Sequence, residues 1–123
     1  MAGSTYYGTF FGVVRTEWIP DHPRNMRLLN DVTFRDRHNV QWRAKEGDVI
    51  DGASTGWFFR RVFPAFVGGY RRATVLHDYY CSHRLRPSWQ VHRMFYEAMR
   101  CDGTYPLTAW ILWLAVRVFG PKW

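Results

Sequence analysis

The residues best suited to chemistry in this sequence are two histidines and two aspartates: His77, His92, Asp51 and Asp78. Neutral imidazole nitrogens and carboxylate oxygens are good ligands for zinc, iron and manganese. We therefore predict a divalent metal such as zinc held by Asp51, His77 and His92, with Asp78 as a catalytic base or as the residue that orients a ligand. Three protein ligands leave a position for water, the arrangement that metal-dependent hydrolases use.

The predicted elements around these residues bring them together. Residues 70–82 and 88–100 have the apolar periodicity of two helices, and the short turn between them makes the pair antiparallel. This hairpin places His92 opposite His77 and Asp78. His77 falls at the centre of the buried face of its helix, an unusual position for a histidine. Asp51 ends a strand-like segment before Gly52, which puts its carboxylate at the rim of a sheet.

A purely structural role is the alternative. His77 can be a satisfied core histidine that donates a hydrogen bond to Asp51 or to a backbone carbonyl. Asp78 can bind Arg71 or Arg72, and Asp51 can cap the helix that follows it. The residues alone leave these alternatives open.

Ser54 is a second catalytic candidate beside Asp78. It could act as the nucleophile of a Ser54–His77–aspartate triad, although the G-x-S-x-G motif of such enzymes is missing. Tyr79 or Tyr80 could stabilise the charge that develops on a substrate.

The pattern of the whole chain predicts one α+β domain over residues 1–123. The first half has strand character and predicts a short antiparallel meander of three or four strands, with a turn at 36–39. The second half predicts three to four helices, of which Ser54 and Ser88 could cap the first and third. The expected strands are 9–18, 26–34, 40–44 and 48–50; the expected helices begin near 54 and cover 70–82, 88–100 and 107–119.

Two of these helices carry more detailed expectations. In the helix at 88–100, Gln90, Arg93, Glu97 and Arg100 are expected to face water. The helix at 107–119 is apolar nearly all round, which predicts burial on most sides and a central position against the sheet. It is too short to cross a bilayer, and a Trp-rich helix lying in a membrane interface is the minor alternative.

Composition narrows the class of protein. The 7 Trp, 7 Tyr and 9 Phe among 123 residues exclude intrinsic disorder. The net charge of +7 comes almost entirely from arginine, but its spread along the chain favours a solvating coat over a nucleic-acid site. Cys81 and Cys101 fit no metal motif and are expected to be reduced core residues. The N-terminus has no secretory signal pattern, so we expect synthesis in the cytoplasm.

Several short motifs in this order resemble a known family. They include Asp51-Gly52-Ala53-Ser54, His77-Asp78-Tyr79 and the segments 95–100 and 109–120. The chain resembles the small phage and prophage proteins grouped as domain of unknown function 1353. The resemblance implies a bacteriophage or prophage origin and an α+β protein whose polar motifs include Asp51, Ser54, His77 and Asp78; it brings no activity with it.

The chain departs from the family pattern at two places. His92 stands where an aspartate is expected, which keeps the capacity to bind a metal but alters its charge. Thr55 and Gly56 replace a hydrophobic-Pro pair after Ser54, which loosens the first turn of the predicted helix.

Three functional hypotheses follow, of which the third, a nucleic-acid binder suggested by the arginine excess, is disfavoured because no recognised nucleic-acid motif is present. The first is a phage-encoded metal-dependent hydrolase, directed at the host cell wall. The second is a non-enzymatic phage component, either a head-tail or tail part of the virion or a factor that binds a host protein. The second predicts an exposed aromatic patch, for which Trp42, Trp57, Phe59 and Trp123 are the candidates.

Overall fold

A computed structural model describes residues 3–20, 22–51, 71–120 and 122–123 of the chain. Strands occupy the first half and helices the second, which confirms the α+β class. The strands in these ranges are β1 (Gly3–Thr5), β2 (Gly8–Phe11), β3 (Thr16–Ile19), β4 (His22–Leu28), β5 (Val32–Asp36), β6 (Gln41–Ala44) and β7 (Val49–Asp51). The helices are α1 (Arg71–His83), α2 (Ser88–Cys101) and α3 (Pro106–Phe119).

The strands form two antiparallel sheets, where the sequence predicted one meander. The first sheet has the order β1-β2-β5-β6 and the second the order β3-β4-β7. Each of the two long predicted strands is divided between the sheets. Gly12, with a φ of +91°, follows the end of β2. Asn30, between β4 and β5, donates a side-chain hydrogen bond at 2.8 Å to the carbonyl of Val13, which lies between β2 and β3.

The predicted turn at 36–39 is present between β5 and β6. The side chain of the buried Asp36 holds it together. One carboxylate oxygen accepts hydrogen bonds from the backbone N–H groups of His38 and Val40, at 2.8 and 3.0 Å. The other accepts a hydrogen bond from the Trp42 indole at 3.0 Å. Asn39 takes the left-handed conformation with a φ of 65°, which asparagine tolerates better than most residues.

The main core lies between the four-stranded sheet and helices α1 and α2. Phe10, Phe34 and Trp42 are buried from the sheet side, and Leu76 and Phe95 from the helix side. The rings of Phe10 and Phe34 stack with their centroids 4.8 Å apart. Burial of these large apolar side chains is the main force that holds the helical hairpin on the sheet.

The helices begin and end close to the predicted residues. Three are seen within the described ranges; the helix predicted to begin at Ser54 lies outside them. At the end of α2, Gly103 has a φ of +87° and the Thr104 N–H donates to the Met99 carbonyl at 3.0 Å, the pattern of a glycine-terminated helix.

Two expectations for α2 are wrong. Ser88 does not cap this helix: Pro87 occupies the cap position, and the Ser88 hydroxyl is hydrogen-bonded to the backbone of Trp123. Glu97 does not face water, because the neighbouring β5–β6 turn covers it and leaves its side chain 4% exposed.

The expectation that α3 is buried on most sides is also wrong. This helix packs against α2, and its buried residues are confined to one narrow face, Ala109, Leu112 and Val116. Hydropathy alone could not reveal how little of the surface of α3 is covered by α2, its main neighbour among the described elements. In the described ranges, no helix combines the length and apolar character needed to cross a membrane.

Candidate functional site

The structure brings His77 and His92 into direct contact. Helices α1 and α2 lie side by side, and Nε2 of His77 is 2.9 Å from Nδ1 of His92. Since each neutral ring has one N–H, one imidazole donates this hydrogen bond and the other accepts it. His77 is 0% exposed and His92 is 4% exposed. The hairpin geometry predicted from the sequence is therefore seen in the fold.

The surroundings of His77 keep its ring neutral. Burial lowers the pKa of His77 well below its ordinary value, and the neighbouring His92 lowers this pKa further. The ring also stacks on Phe95, with centroids 4.5 Å apart. Metals bind the neutral form of imidazole, and this environment favours that form.

Cys81 lies one helical turn after His77, with its sulfur 3.7 Å from each of the two ring nitrogens. Burial, followed by the charge of Asp78, raises the pKa of the Cys81 thiol to about 12. The thiol is therefore protonated at neutral pH and is a poor nucleophile. Cys81 and Cys101 are both free and buried, as expected for reduced core residues.

Asp78 is brought to the same end of the hairpin. It follows His77 on α1, is 3% exposed, and lies close enough to Cys81 for its charge to act on the thiol. A buried aspartate beside a histidine pair can serve as a proton acceptor or as an orienting group.

For Asp51, the structure describes the backbone alone. Asp51 is the last residue of β7, is paired in register with Asn25 of β4, and belongs to a strand that packs against α1. Ser54 lies outside the described residues. Among the described side chains, no three His, Cys, Asp or Glu residues are grouped as a metal site. Of the three predicted ligands, the structure therefore describes the side chains of His77 and His92 and the backbone of Asp51.

The two tyrosines have other contacts. The Tyr80 hydroxyl accepts a hydrogen bond from the Arg43 backbone N–H at 2.9 Å, and its ring packs on Trp42. The Tyr79 ring stacks on His83 at 4.3 Å, and burial together with Asp48 raises the pKa of Tyr79. These contacts direct both rings toward β6 and the end of α1.

A cleft beside His92 was not foreseen from the sequence. It has a volume of about 460 Å³ and lies between the start of α2, the end of α3 and the C-terminal residues. Its lining consists of Ser88, Trp89, His92, Arg117, Val118 and Lys122. None of these is acidic, so the cleft has a positive charge. The antiparallel packing of α2 and α3 was the signal that could have placed Arg117 near His92.

Comparison with known families identifies the chain's relatives. A family model described as "Protein of unknown function (DUF1353)" matches residues 26–116. The chain belongs to this family. The match includes all five candidate residues, Asp51, Ser54, His77, Asp78 and His92, and it stops one residue before Arg117.

Two curated relatives of this DUF1353 member come from Sinorhizobium fredii (strain NBRC 101917 / NGR234). Uncharacterized protein y4jT is 33% identical over 120 residues, covering 96% of this chain and 36% of the relative. Uncharacterized protein y4iH is 35% identical over 118 residues, covering 92% of this chain and 46% of the relative. The chain thus spans less than half the length of either relative. No solved structure matches.

Proposed function

We propose that this DUF1353 protein is a metal-dependent hydrolase of phage or prophage origin that acts on the bacterial cell wall. The observation that carries the proposal is the buried His77–His92 pair, whose second member lines a basic cleft. The phage origin rests on the resemblance of the motifs, and the cell-wall substrate is part of the proposal.

The two ring nitrogens are close enough to share a metal after a rearrangement of the rings. Zinc–nitrogen bonds are about 2.1 Å long, so two imidazole nitrogens at a tetrahedral angle lie about 3.4 Å apart. The 2.9 Å between the nitrogens of His77 and His92 is shorter than this separation. To hold one ion, the two rings would have to move slightly apart and turn both lone pairs toward it, and the ion would replace the shared proton. Asp51, at the end of the strand that packs on α1, is the proposed third ligand.

A divalent metal held here would supply Lewis-acid activation of a water molecule. Asp78 is the proposed base: its carboxylate accepts the proton that the attacking water loses, and returns it to the leaving group. Ser54 remains the second catalytic candidate, as a hydrogen-bonding partner of the substrate or as a nucleophile.

The cleft indicates the kind of substrate. Arg117 is an exposed residue of its lining, and Lys122 is held there by a hydrogen bond that its ammonium donates to the Val118 carbonyl at 3.2 Å. With two cations and no carboxylate among its lining residues, the cleft favours an anionic group such as a carboxylate. Peptide stems of the cell wall carry such groups.

Elemental analysis of the purified protein tests the metal site. We expect close to one zinc, manganese or iron ion per chain in the wild type, and its loss in both His77→Ala and His92→Ala. His38→Ala, which removes an exposed histidine from the β5–β6 turn, is the matched control and should retain the metal. Circular dichroism must show that all variants are folded.

The hydrolase is tested on dye-labelled cell-wall sacculi. Metal-loaded wild type and His38→Ala should release dye, whereas chelator-treated protein and His77→Ala should not. Protein that stays metal-free even after incubation with these ions would contradict the proposal and leave His77, His92 and Asp78 as a structural hydrogen-bond network.

A non-enzymatic phage component, in the virion or bound to a host protein, is the second candidate. None of the four aromatic residues predicted to form its exposed patch is seen to be exposed. Trp42 is buried, Trp123 is half-buried, and Trp57 and Phe59 lie outside the described ranges. The aromatic side chains that are exposed instead include Trp89, Tyr105, Trp110 and Phe119. Metal-free protein that forms a stable complex with a virion or host protein would favour this candidate.

A further inference from the structure

The outer face of α3 is a continuous apolar stripe. At 100° per residue, its exposed residues lie directly opposite the face that packs on α2. Leu107 is 68% exposed and Trp110 is 50% exposed. The stripe consists of Leu107, Trp110, Ile111, Leu114 and Val118. An apolar surface of this extent marks a contact with another molecule or with a membrane.

The charges around the stripe have one sign. Arg117, in the last turn of α3, and Lys122, just after this helix, are both exposed, and Arg117 lies over the ring of Trp113 at 5.4 Å. From residue 84 to residue 123 the sequence contains only two acidic residues, Glu97 and Asp102. Both face arginines, with side chains 4% and 9% exposed. Among the described residues of α3 and of the segment after it, the charged side chains are therefore all cationic.

The chemistry of the stripe fits a lipid surface better than a protein. A protein interface usually has about one hydrogen bond per 100–200 Å² and a polar rim of mixed charge. In the stripe the Trp110 indole is the sole side-chain donor. In a dimer through this face, the exposed cations of one copy would lie against those of the other. Each chain has a net charge of +7, so the two copies would repel.

We propose that α3 lies flat on an anionic phospholipid bilayer, with the stripe inserted at the level of the headgroups. Apolar insertion and attraction of Arg117 and Lys122 to lipid phosphates would then act together, as in interfacial helices. Trp110 and Trp113 have the amphipathic rings that favour this depth. The helix has 14 residues and lies in the interface without crossing it.

Vesicle sedimentation tests this inference with the full chain. The probes are vesicles of phosphatidylcholine alone and vesicles of phosphatidylcholine mixed with phosphatidylglycerol. We expect binding at least about tenfold stronger to the mixed vesicles, and loss of most of this advantage in Arg117→Glu/Lys122→Glu. Leu107→Gln/Trp110→Gln should abolish binding.

Phe11→Gln/Leu29→Gln is the matched control, since these residues of the β-sheet half are 45% and 42% exposed. This control should bind vesicles like the wild type. Equal binding by Leu107→Gln/Trp110→Gln, or no binding by the wild type, would overturn the proposal. The proposal would also be overturned if the wild type formed dimers without vesicles, or a complex with a protein, and Leu107→Gln/Trp110→Gln abolished that association. Leu107 and Trp110 lie outside the lining of the cleft, so metal content and hydrolysis can be measured separately on the same variants.

Discussion

At the scale of single residues, the chain buries several groups that can ionise. His77 and His92 share one hydrogen bond, whereas the contacts of Glu97 with described residues are longer ion pairs. Its carboxylate is 3.8 Å from the Arg37 guanidinium and 3.7 Å from that of Arg93. Among the described residues, neither of its oxygens accepts a hydrogen bond. Burial, followed by the charge of Asp36, raises the pKa of Glu97.

Glu97→Gln is therefore expected to stabilise the protein at alkaline pH. A carboxyl whose pKa is raised by folding stabilises the fold below its ordinary pKa of 4.5, and this contribution is lost as the pH rises through the higher folded value. Glutamine has no such loss, so its free energy of unfolding should exceed that of wild type by about 1 kcal/mol at pH 8. Urea denaturation at pH 4 and pH 8 measures the difference. An advantage of the same size at both values would mean that ionisation is not the cause.

At the scale of elements, hairpins were the units that the sequence could predict. The boundaries of α1 and α2 follow from apolar periodicity and from Pro87 and Gly103, and the antiparallel pairing of the two helices placed His92 beside His77. The division of the strands into two sheets was not predictable, because it depends on contacts between Asn30 and Val13, 17 residues apart. The β5–β6 turn was predictable because Asp36 and Asn39 are typical turn residues.

Asp36→Ala should weaken the β5–β6 hairpin strongly. It removes acceptors for two backbone N–H groups and for the Trp42 indole, which leaves a buried donor unsatisfied; we expect a loss of about 2–3 kcal/mol in the free energy of unfolding. Asp36→Asn should cost less, because its amide oxygen can still accept from His38 and Val40. Thermal unfolding ranks the two variants, with the exposed Glu46→Ala as control. An equal cost for Ala and Asn would assign the effect to charge instead.

At the scale of the whole molecule, one arginine joins the helices to the first sheet. Arg72 of α1 donates to both carboxylate oxygens of Asp102 through Nε, at 3.0 Å each, and to the Gly12 carbonyl at 2.9 Å. Its guanidinium also lies 4.4 Å from the centroid of the Phe10 ring. The end of β2, the start of α1 and the end of α2 meet at this residue.

Arg72→Leu should lower the free energy of unfolding by about 3 kcal/mol, because it leaves the Asp102 carboxylate buried without its partner. Arg27→Leu removes an ion pair with Glu17 that is about half exposed on both sides, and should cost less than about 1 kcal/mol. Adding Asp102→Asn to Arg72→Leu should restore part of the loss. Denaturant titrations of the three variants provide the comparison; similar losses for Arg72→Leu and Arg27→Leu would contradict this role.

The candidate site was only partly predictable at this scale. Sequence spacing brought His77, Asp78 and His92 together, since one hairpin contains all three. Antiparallel pairing of α2 and α3 could have placed Arg117 near His92, but the packing of Trp123 against Ser88, 35 residues away in the sequence, follows from no periodicity. The apolar character of α3 was visible, but not which of its faces α2 would cover.

X-ray absorption at the zinc edge tests the metal site most directly. In protein loaded with zinc and then dialysed, we predict two imidazole nitrogens at about 2.1 Å and further oxygen ligands. In His77→Ala the zinc should be lost, whereas His38→Ala should give the wild-type spectrum. A wild-type protein that retains no zinc, or whose zinc has fewer than two imidazole ligands, would contradict the proposed metal site.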